Sequence, residues 1–311
     1  MTMIEPVRPA TLADGDLVAL VSPSGPVRAA RADAAVGVLT GWGLRTRLGE
    51  HALARNGYLA GTDEQRLADL NGAFADPEVR AVLCLRGGYG MQRIVDGLDL
   101  DAVRDDPKLV MGFSDITALH LALWQGARLA TVHGPVAAQL DKGAQSPTAL
   151  GAKTVLTSAV PVTVKADEAE STFRVRRPGR AEGVLLGGNL AMLASSVGTV
   201  HMPDLTGAIL LIEDINEQPY RIDRMLTQLL RSGALSGLAG VAIGQFTDCD
   251  AEGEGPSAED VLEERLGAAG VPVLGGLPIG HGDQHVAIGV GVPAVLDADA
   301  GTLTVQPVGR A

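Results

Sequence analysis

The chain has 311 residues, of which 46% are apolar and 20% charged, a balance that supports buried cores and excludes global disorder. Its 37 acidic side chains outnumber the 25 basic ones, which gives a formal net charge of -12. Because an acidic surface repels phosphate backbones and anionic lipids, this charge argues against a nucleic-acid or membrane partner.

The cysteines and the N-terminal sequence indicate the cellular compartment in which the protein is expected. The two cysteines, Cys84 and Cys249, can form neither a disulfide framework nor a Cys-x-x-Cys metal site. The first six residues lack the basic and apolar regions of a signal peptide, and no apolar run is long enough to span a membrane. We therefore expect a soluble cytoplasmic protein.

The first half of the chain alternates short apolar runs with amphipathic stretches, the pattern of strands and crossover helices in a parallel sheet. The apolar runs at residues 16–21, 81–85 and 109–111 each end in a loop rich in glycine or serine. A capping-box spacing from Thr62 to Gln65 predicts that a helix begins between the first two runs. Since parallel strands end at a common edge, we expect these loops to meet where open α/β sheets place their sites.

The length suggests two domains, and the alternating pattern weakens after about residue 146. We expect an N-terminal α/β domain over residues 1–160, a linker over 161–180 and a C-terminal domain over 181–311.

In the C-terminal domain, the aliphatic run at residues 208–212 ends abruptly in Glu213 and Asp214. Pro219 suits the first turn of a helix. Residues 271–279 look like a strand, and residues 294–305 look like a closing hairpin.

Ser114 is the first candidate for chemistry. It lies where a buried strand meets a helix, and Gly112 precedes it by two residues, so the turn can be tight and the hydroxyl can project from the sheet edge. Ile116 replaces the second glycine of the G-x-S-x-G motif. Ser114 is thus either a nucleophile or a simple helix cap, and its context must decide.

A serine nucleophile needs a base, usually histidine, held in one tautomer by a third group. Of the six histidines, His281 has the most site-like position, because it follows a strand-like run and a glycine. His120 is expected to pack or to lie on the surface, and His133 to be a loop histidine with its hydrogen bonds satisfied. Glu213 is the strongest candidate for the orienting carboxylate, since it terminates the most apolar strand.

An acyl-transfer site also needs N–H donors for an oxyanion, and the amides of Gly87, Gly88 and Asp115 are well placed for this role. Three alternatives have less support. A zinc site at His281 and His285 lacks a clear third ligand. A nucleotide site in the loop at residues 86–90 is not supported, because the loop completes no phosphate-binding motif. Cys84 is not expected to be a nucleophile, because it lies within a strand. We therefore expect no metal and no cofactor.

Seven short stretches together resemble the LD-carboxypeptidase family, the muramoyl-tetrapeptide carboxypeptidases. They run in family order and are VSPSG (21–25), RGGYG (86–90), GFSDIT (112–117), GGNL (187–190), IED (212–214), YRIDR (220–224) and LPIGH (277–281). Each stretch is weak alone, whereas all seven in order are specific.

The resemblance implies a Ser-His-Glu triad at Ser114, His281 and Glu213, and an oxyanion hole from the amides of Gly88 and Asp115. It also implies an N-terminal Rossmann-like domain similar to class I glutamine amidotransferases, a smaller strand-rich C-terminal α/β domain, and a homodimer. The implied reaction releases the terminal D-alanine of murein tetrapeptides during peptidoglycan recycling.

The substrate of such an enzyme has a free carboxylate that requires a cation or helix N-terminus. Arg86, beside Gly87, is the candidate, with a structural salt bridge as the equal alternative. Tyr220, Arg221 and Arg224 are expected to pack and pair on a helix near Glu213.

Two other functions remain open. One is hydrolysis of an acyl-adenylate or peptide, as in the family's microcin C immunity branch, although the aromatic insertion of that branch has no tryptophan counterpart between residues 165 and 180. The other is a non-catalytic binding protein with the same fold.

Overall fold

Short buried runs form strands and amphipathic stretches form helices in the computed structural model, which describes residues 5–251 and 253–311. The strands are β1 (Leu17–Val21), β2 (Arg45–Leu48), β3 (Val79–Cys84), β4 (Leu109–Gly112), β5 (Thr131–His133), β6 (Val162–Lys165), β7 (Arg176–Arg177), β8 (Arg180–Asn189), β9 (Ile209–Ile215), β10 (Gly240–Thr247), β11 (Val273–Leu274), β12 (Ile288–Val290), β13 (Val292–Asp297) and β14 (Thr302–Val305). The α-helices are α1 (Ala29–Gly41), α2 (Asp63–Ala75), α3 (Leu100–Asp105), α4 (Thr117–Ala127), α5 (Pro147–Thr157), α6 (Leu190–Ser196), α7 (Pro219–Arg231) and α8 (Ala258–Gly267). Short 3-10 helices lie at Met91–Arg93, Val95–Gly97, Ser114–Ile116 and Ala137–Lys142.

The first of two compact units comprises the described residues through Val160 together with Ala287–Gly291 and Pro307–Ala311. Its sheet has the strand order β12-β5-β4-β3-β1-β2. All of its pairings are parallel except that of β12 with β5. Strands β1 and β4 are buried along their whole length, as expected when a parallel sheet is covered on both faces. The parallel sheet predicted for the N-terminal half is confirmed.

The second unit comprises Pro161–Val286 and Val292–Gln306. Its sheet has the order β6-β14-β13-β8-β9-β10-β11-β7. The central strands from β8 to β11 are parallel, and antiparallel strands extend the sheet on both sides. Strands β13 and β14 form the predicted closing hairpin. The mixed α/β class with a strand-rich second sheet is therefore confirmed.

Three segments differ from the expectations. Residues 161–180, expected to form a linker, contribute β6 and β7 to the second sheet. Residues 271–279 form only the two-residue strand β11, because Gly275, Gly276 and Pro278 interrupt the strand pattern. Residues 287–291 return to the first unit as β12. Strand β12 is too short to show the residue periodicity by which a strand is predicted from sequence.

The helix starts predicted from local sequence signals are present in the structure. The Thr62 hydroxyl accepts a hydrogen bond from Gln65 N at the start of α2, and the Gln65 amide oxygen accepts one from Thr62 N. Helix α7 begins at Pro219 and buries Ile222, Leu226 and Leu229. Across the described residues, no helix combines the length and apolarity that a membrane crossing requires.

His120 on α4 is a buried core residue, which confirms the packing interpretation. Its Nε2 lies 2.9 Å from the carbonyl oxygen of Gly112, two residues before Ser114. Donation to this carbonyl requires a proton on Nε2. Burial lowers the pKa of His120 to about 4, because a charged imidazole is disfavoured away from water.

The low pKa of His120 predicts a stability effect at acid pH. A histidine with a folded pKa below its ordinary 6.5 binds protons preferentially in the unfolded chain, so its contribution to stability is lost as pH falls from about 6.5 to 4. As the pH falls through this range, the unfolding free energy of the wild type should decrease by on the order of 3 kcal/mol more than that of His120→Gln. Urea unfolding at several pH values, followed by the fluorescence of Trp42 and Trp124, measures this. Equal losses of unfolding free energy in both proteins would contradict a lowered pKa of His120.

Candidate active site

Ser114 occupies a strained turn between β4 and α4. Its φ is +64°, in the left-handed region that residues other than glycine rarely adopt. The N-cap residue of α4 is Ile116 and that of the preceding 3-10 helix is Phe113, so Ser114 does not occupy a cap position. Strained serines at strand-to-helix turns are typical of hydrolytic nucleophiles. The backbone thus favours the nucleophile interpretation over the cap.

The glycine loop after β3 lies against this turn. A Cβ atom at Gly87 would lie 3.0 Å from Ser114 Cβ and 3.2 Å from the Phe113 carbonyl oxygen, so a side chain at this position would push the loop away. The carbonyl of Gly87 accepts a hydrogen bond from Gly25 N at 3.0 Å. The three loops predicted to meet at one edge of the first sheet therefore do so.

Two buried polar side chains connect these loops: that of Arg66, which the sequence analysis missed, and that of Asp115, for which it named only the backbone amide. The Asp115 carboxylate accepts hydrogen bonds from Ser24 Oγ at 2.5 Å and from Met91 N at 2.8 Å. The Arg66 guanidinium donates to the carbonyls of Pro23 and Gly90. Burial raises the pKa of Asp115, although its hydrogen-bond donors oppose this. Together they hold the loops that carry Gly88 and Ser114.

Arg86 is exposed at the start of the glycine loop, and its Nη1 donates to the Pro26 carbonyl at 2.7 Å. The guanidinium has five N–H donors, so this bond leaves further donors for an anion. Gly88 has a φ of +110° in the same loop.

In the second unit, Glu213 and His281 form a close pair. His281 Nδ1 lies 2.6 Å from Glu213 Oε2, and Glu213 is completely buried on β9. The other carboxylate oxygen is buried without a hydrogen-bond partner among the described residues. Such an arrangement fixes the imidazole tautomer with its proton on Nδ1, as a histidine base requires.

Asp214 has a different role from its neighbour, because consecutive side chains of a strand point to opposite faces. Its carboxylate accepts hydrogen bonds from Asn189 Nδ2 and from Ala191 N at the start of α6, both at 2.9 Å. Burial, and then the charge of Glu213, raise the pKa of Asp214 to about 6. Asp214 therefore anchors a helix, whereas Glu213, the stronger candidate by sequence, pairs with His281.

The remaining candidates are structural in character. His285 is buried, and burial followed by the charge of His281 lowers its pKa to about 3. His133 ends β5 and contacts the ring of Phe113 edge-on. Burial raises the pKa of the Cys84 thiol, as expected for a core cysteine. In the described part of the chain, no three His, Cys, Asp or Glu side chains are grouped to hold a metal ion.

The aromatic and basic residues of α7 interact with one another, as expected. The guanidinium carbons of Arg221 and Arg224 lie 5.8 and 5.3 Å from the ring centre of Tyr220. Arg221 also lies 3.7 Å from the Glu217 carboxylate.

The predicted residues fall into two groups. Ser114, Asp115 and Gly88, with neighbouring Arg86 and Gly87, belong to the first unit, whose loops bring them together. The second unit joins Glu213 and His281 directly.

Gly280 tests how closely the Glu213–His281 pair is packed. Its φ is +132°, and an added Cβ would lie 2.7 Å from Glu213 Oε2. Gly280→Ala should therefore lower the unfolding free energy by about 1–3 kcal/mol from strain and displace the carboxylate from the imidazole. Gly198→Ala is the matched control, because Gly198 also has positive φ, +85°, but open space around its Cβ position. Urea unfolding and the NMR signal of the His281 Nδ1 proton measure both effects; equal behaviour of the two variants would contradict close packing.

Both halves of the chain are similar to proteins of one known family. Residues 18–134 match the family model described as the LD-carboxypeptidase N-terminal domain, and residues 182–296 match the C-terminal domain of the same family. A murein tetrapeptide carboxypeptidase of Pseudomonas aeruginosa is 38% identical over 91% of this chain and 93% of its own length.

Solved structures show the same fold. A muramoyltetrapeptide carboxypeptidase from Oxalobacter formigenes superposes with a TM-score of 0.83 at 31% identity, covering 94% of this chain and 100% of its own. The protein MccF in complex with glutamyl sulfamoyl guanosine has a TM-score of 0.87 at 24% identity, covering 97% of this chain and 98% of its own. The likeness to glutamine amidotransferases and the homodimer stay predictions. The two matched domains cover most of the chain, which therefore belongs to the LD-carboxypeptidase family and is a hydrolase.

Proposed function

We propose that this protein is a serine carboxypeptidase that hydrolyses the L,D-amide bond of murein tetrapeptides and releases the terminal D-alanine. The observation that carries the proposal is the 2.6 Å hydrogen bond between His281 Nδ1 and the buried carboxylate of Glu213. A histidine paired in this way is oriented to act as a base through Nε2. The strained backbone of Ser114 and the murein-peptide names of relatives support the same function.

In the proposed reaction, Ser114 Oγ attacks the carbonyl carbon of the scissile amide while His281 Nε2 takes the hydroxyl proton. The amides of Gly88 and Asp115 donate hydrogen bonds to the resulting oxyanion. The carbon–nitrogen bond then breaks, and His281 returns the proton to the leaving amine of D-alanine. Water hydrolyses the acyl-enzyme by the same steps, with Glu213 stabilising the charged imidazole each time.

Replacing the nucleophile is the direct test. Ser114→Ala should lower kcat for release of D-alanine from L-Ala-D-Glu-diaminopimelate-D-Ala by about 10⁴-fold, because the triad acts as a unit. Ser158→Ala is the control, since Ser158 is a partly exposed serine in the same unit whose hydroxyl bonds to its own helix. Free D-alanine is measured with time.

Three outcomes would count against this proposal. Full activity of Ser114→Ala would exclude the serine mechanism. If the wild type instead cleaves an aminoacyl sulfamoyl adenosine, the microcin-immunity activity replaces the murein one. If the wild type cleaves neither substrate but binds one of them in calorimetry, the protein is a binding protein with this fold.

Arg86 is proposed to bind the terminal carboxylate of the substrate. Its guanidinium is exposed beside Gly87 and has donors beyond the one that bonds to Pro26. A charge-assisted hydrogen bond to a carboxylate contributes about 1.5–3 kcal/mol.

Arg86→Ala should therefore raise KM about 10- to 100-fold for the tetrapeptide with a free carboxylate, with a smaller effect on kcat. The same peptide with a C-terminal amide should show little difference between variant and wild type. Arg31→Ala is the control, because Arg31 is an exposed arginine of the same unit that pairs with Asp141. A similar KM change for both peptides would assign Arg86 a purely structural role.

A further inference from the structure

Gln245 on β10 is buried and makes hydrogen bonds on both sides of His281 along the chain. Its backbone N–H donates to the Ile279 carbonyl at 2.9 Å. Its side-chain oxygen accepts from Gly282 N at 2.7 Å, and its side-chain nitrogen donates to the Gln284 carbonyl at 3.1 Å. One residue therefore anchors the chain two positions before His281 and one and three positions after it.

The segment around His281 needs such an anchor. Residues 275–287 form neither helix nor strand, so no regular backbone ladder fixes the direction of the imidazole. The approach of Gln245 is close, since a Cβ atom at Gly282 would lie 2.2 Å from Gln245 Nε2. A glycine is therefore required at residue 282 for the amide to reach the backbone.

An amide suits this position better than any other group. Besides the Gln284 carbonyl, Gln245 Nε2 donates to Glu170 Oε1 at 2.7 Å. The side chain thus needs one acceptor for Gly282 N and two donors for Gln284 and Glu170, the inventory of a glutamine. A glutamate would accept from Gly282 but would lose both donors and face the carboxylate of Glu170.

We propose that Gln245 is a positioning residue for the hydrolysis: its side-chain amide holds the backbone at Gly282 and Gln284 so that the His281 imidazole stays against Glu213. Gln245 acts through His281, and its contacts with Ile279, Gly282 and Gln284 are all to backbone groups. The kinetic part of the proposal rests on the proposed function. The structural part, which concerns the orientation of His281, does not.

The kinetic test compares Gln245→Met with the wild type, because methionine retains the length and volume of glutamine without its hydrogen bonds. Loss of alignment at the base should lower kcat about 10- to 100-fold while KM changes less than about threefold. Gln228→Met is the matched control, since Gln228 in the same unit also donates to a backbone carbonyl, that of Ala194. Gln245→Glu should also lose activity, whereas Glu170→Gln keeps an acceptor for the amide and should retain it.

A second readout separates this proposal from the proposed function. The NMR signal of the His281 Nδ1 proton should be sharp and downfield in the wild type and in Gln228→Met, and broadened or lost in Gln245→Met. This expected NMR pattern does not depend on which substrate the protein hydrolyses. A wild type that releases no D-alanine but shows this pattern would overturn the proposed function alone.

The proposal for Gln245 would be overturned by unchanged kcat and an unchanged His281 signal in a folded Gln245→Met protein. If that variant does not fold, hydrogen exchange in the wild type decides. The Gly282 amide, bonded to Gln245 Oε1, should exchange at least tenfold more slowly than an unprotected amide. Exchange of Gly282 at the unprotected rate would show that the anchor is absent.

Discussion

The buried carboxylate of Glu213 is the constraint on which the second unit depends. A carboxylate without solvent is costly unless it is paired and hydrogen-bonded, and its partner here is His281. The pairing requires the residue before His281 to be small, because the Gly280 backbone lies directly against the carboxylate. The aliphatic strand β9 thus stabilises the fold and also supplies the low-dielectric surroundings in which the carboxylate and imidazole interact strongly.

Both units solve the same physical problem. Ser114 lies in a short turn after a strand and His281 in an irregular segment, and neither position is fixed by the backbone ladder of a sheet. In the first unit, buried Asp115 and Arg66 bind loop backbone and side-chain groups around Ser114. In the second, Gln245 binds backbone groups around His281. Glycines at the closest approaches, Gly87 and Gly282, allow the loops to come within contact distance.

Sequence reasoning was successful where local pattern and tertiary structure agree. Apolar runs predicted three strands of the parallel sheet, β1, β3 and β4, and the strand-to-helix junction predicted a tight turn at Ser114. It was unsuccessful where a segment is too short to show a period, as with β12, or where polar residues hid an edge strand, as with β7. Arg66 and Gln245 were not predicted as site residues, because the sequence alone does not distinguish a buried polar residue from an exposed one.

The sequence by itself determined the α/β class, the family, the strand end at which Ser114 lies and the apolar strand that carries Glu213, because hydrophobic periodicity and short motifs are local properties of the chain. Only the tertiary structure decided that His281 rather than another histidine contacts Glu213, that Asp214 faces a helix, and that Gln245 anchors the segment around His281. These facts depend on contacts between residues from 23 to 68 positions apart. Hydrogen bonds over such separations are selected by the packing of the sheet, and no local pattern encodes them.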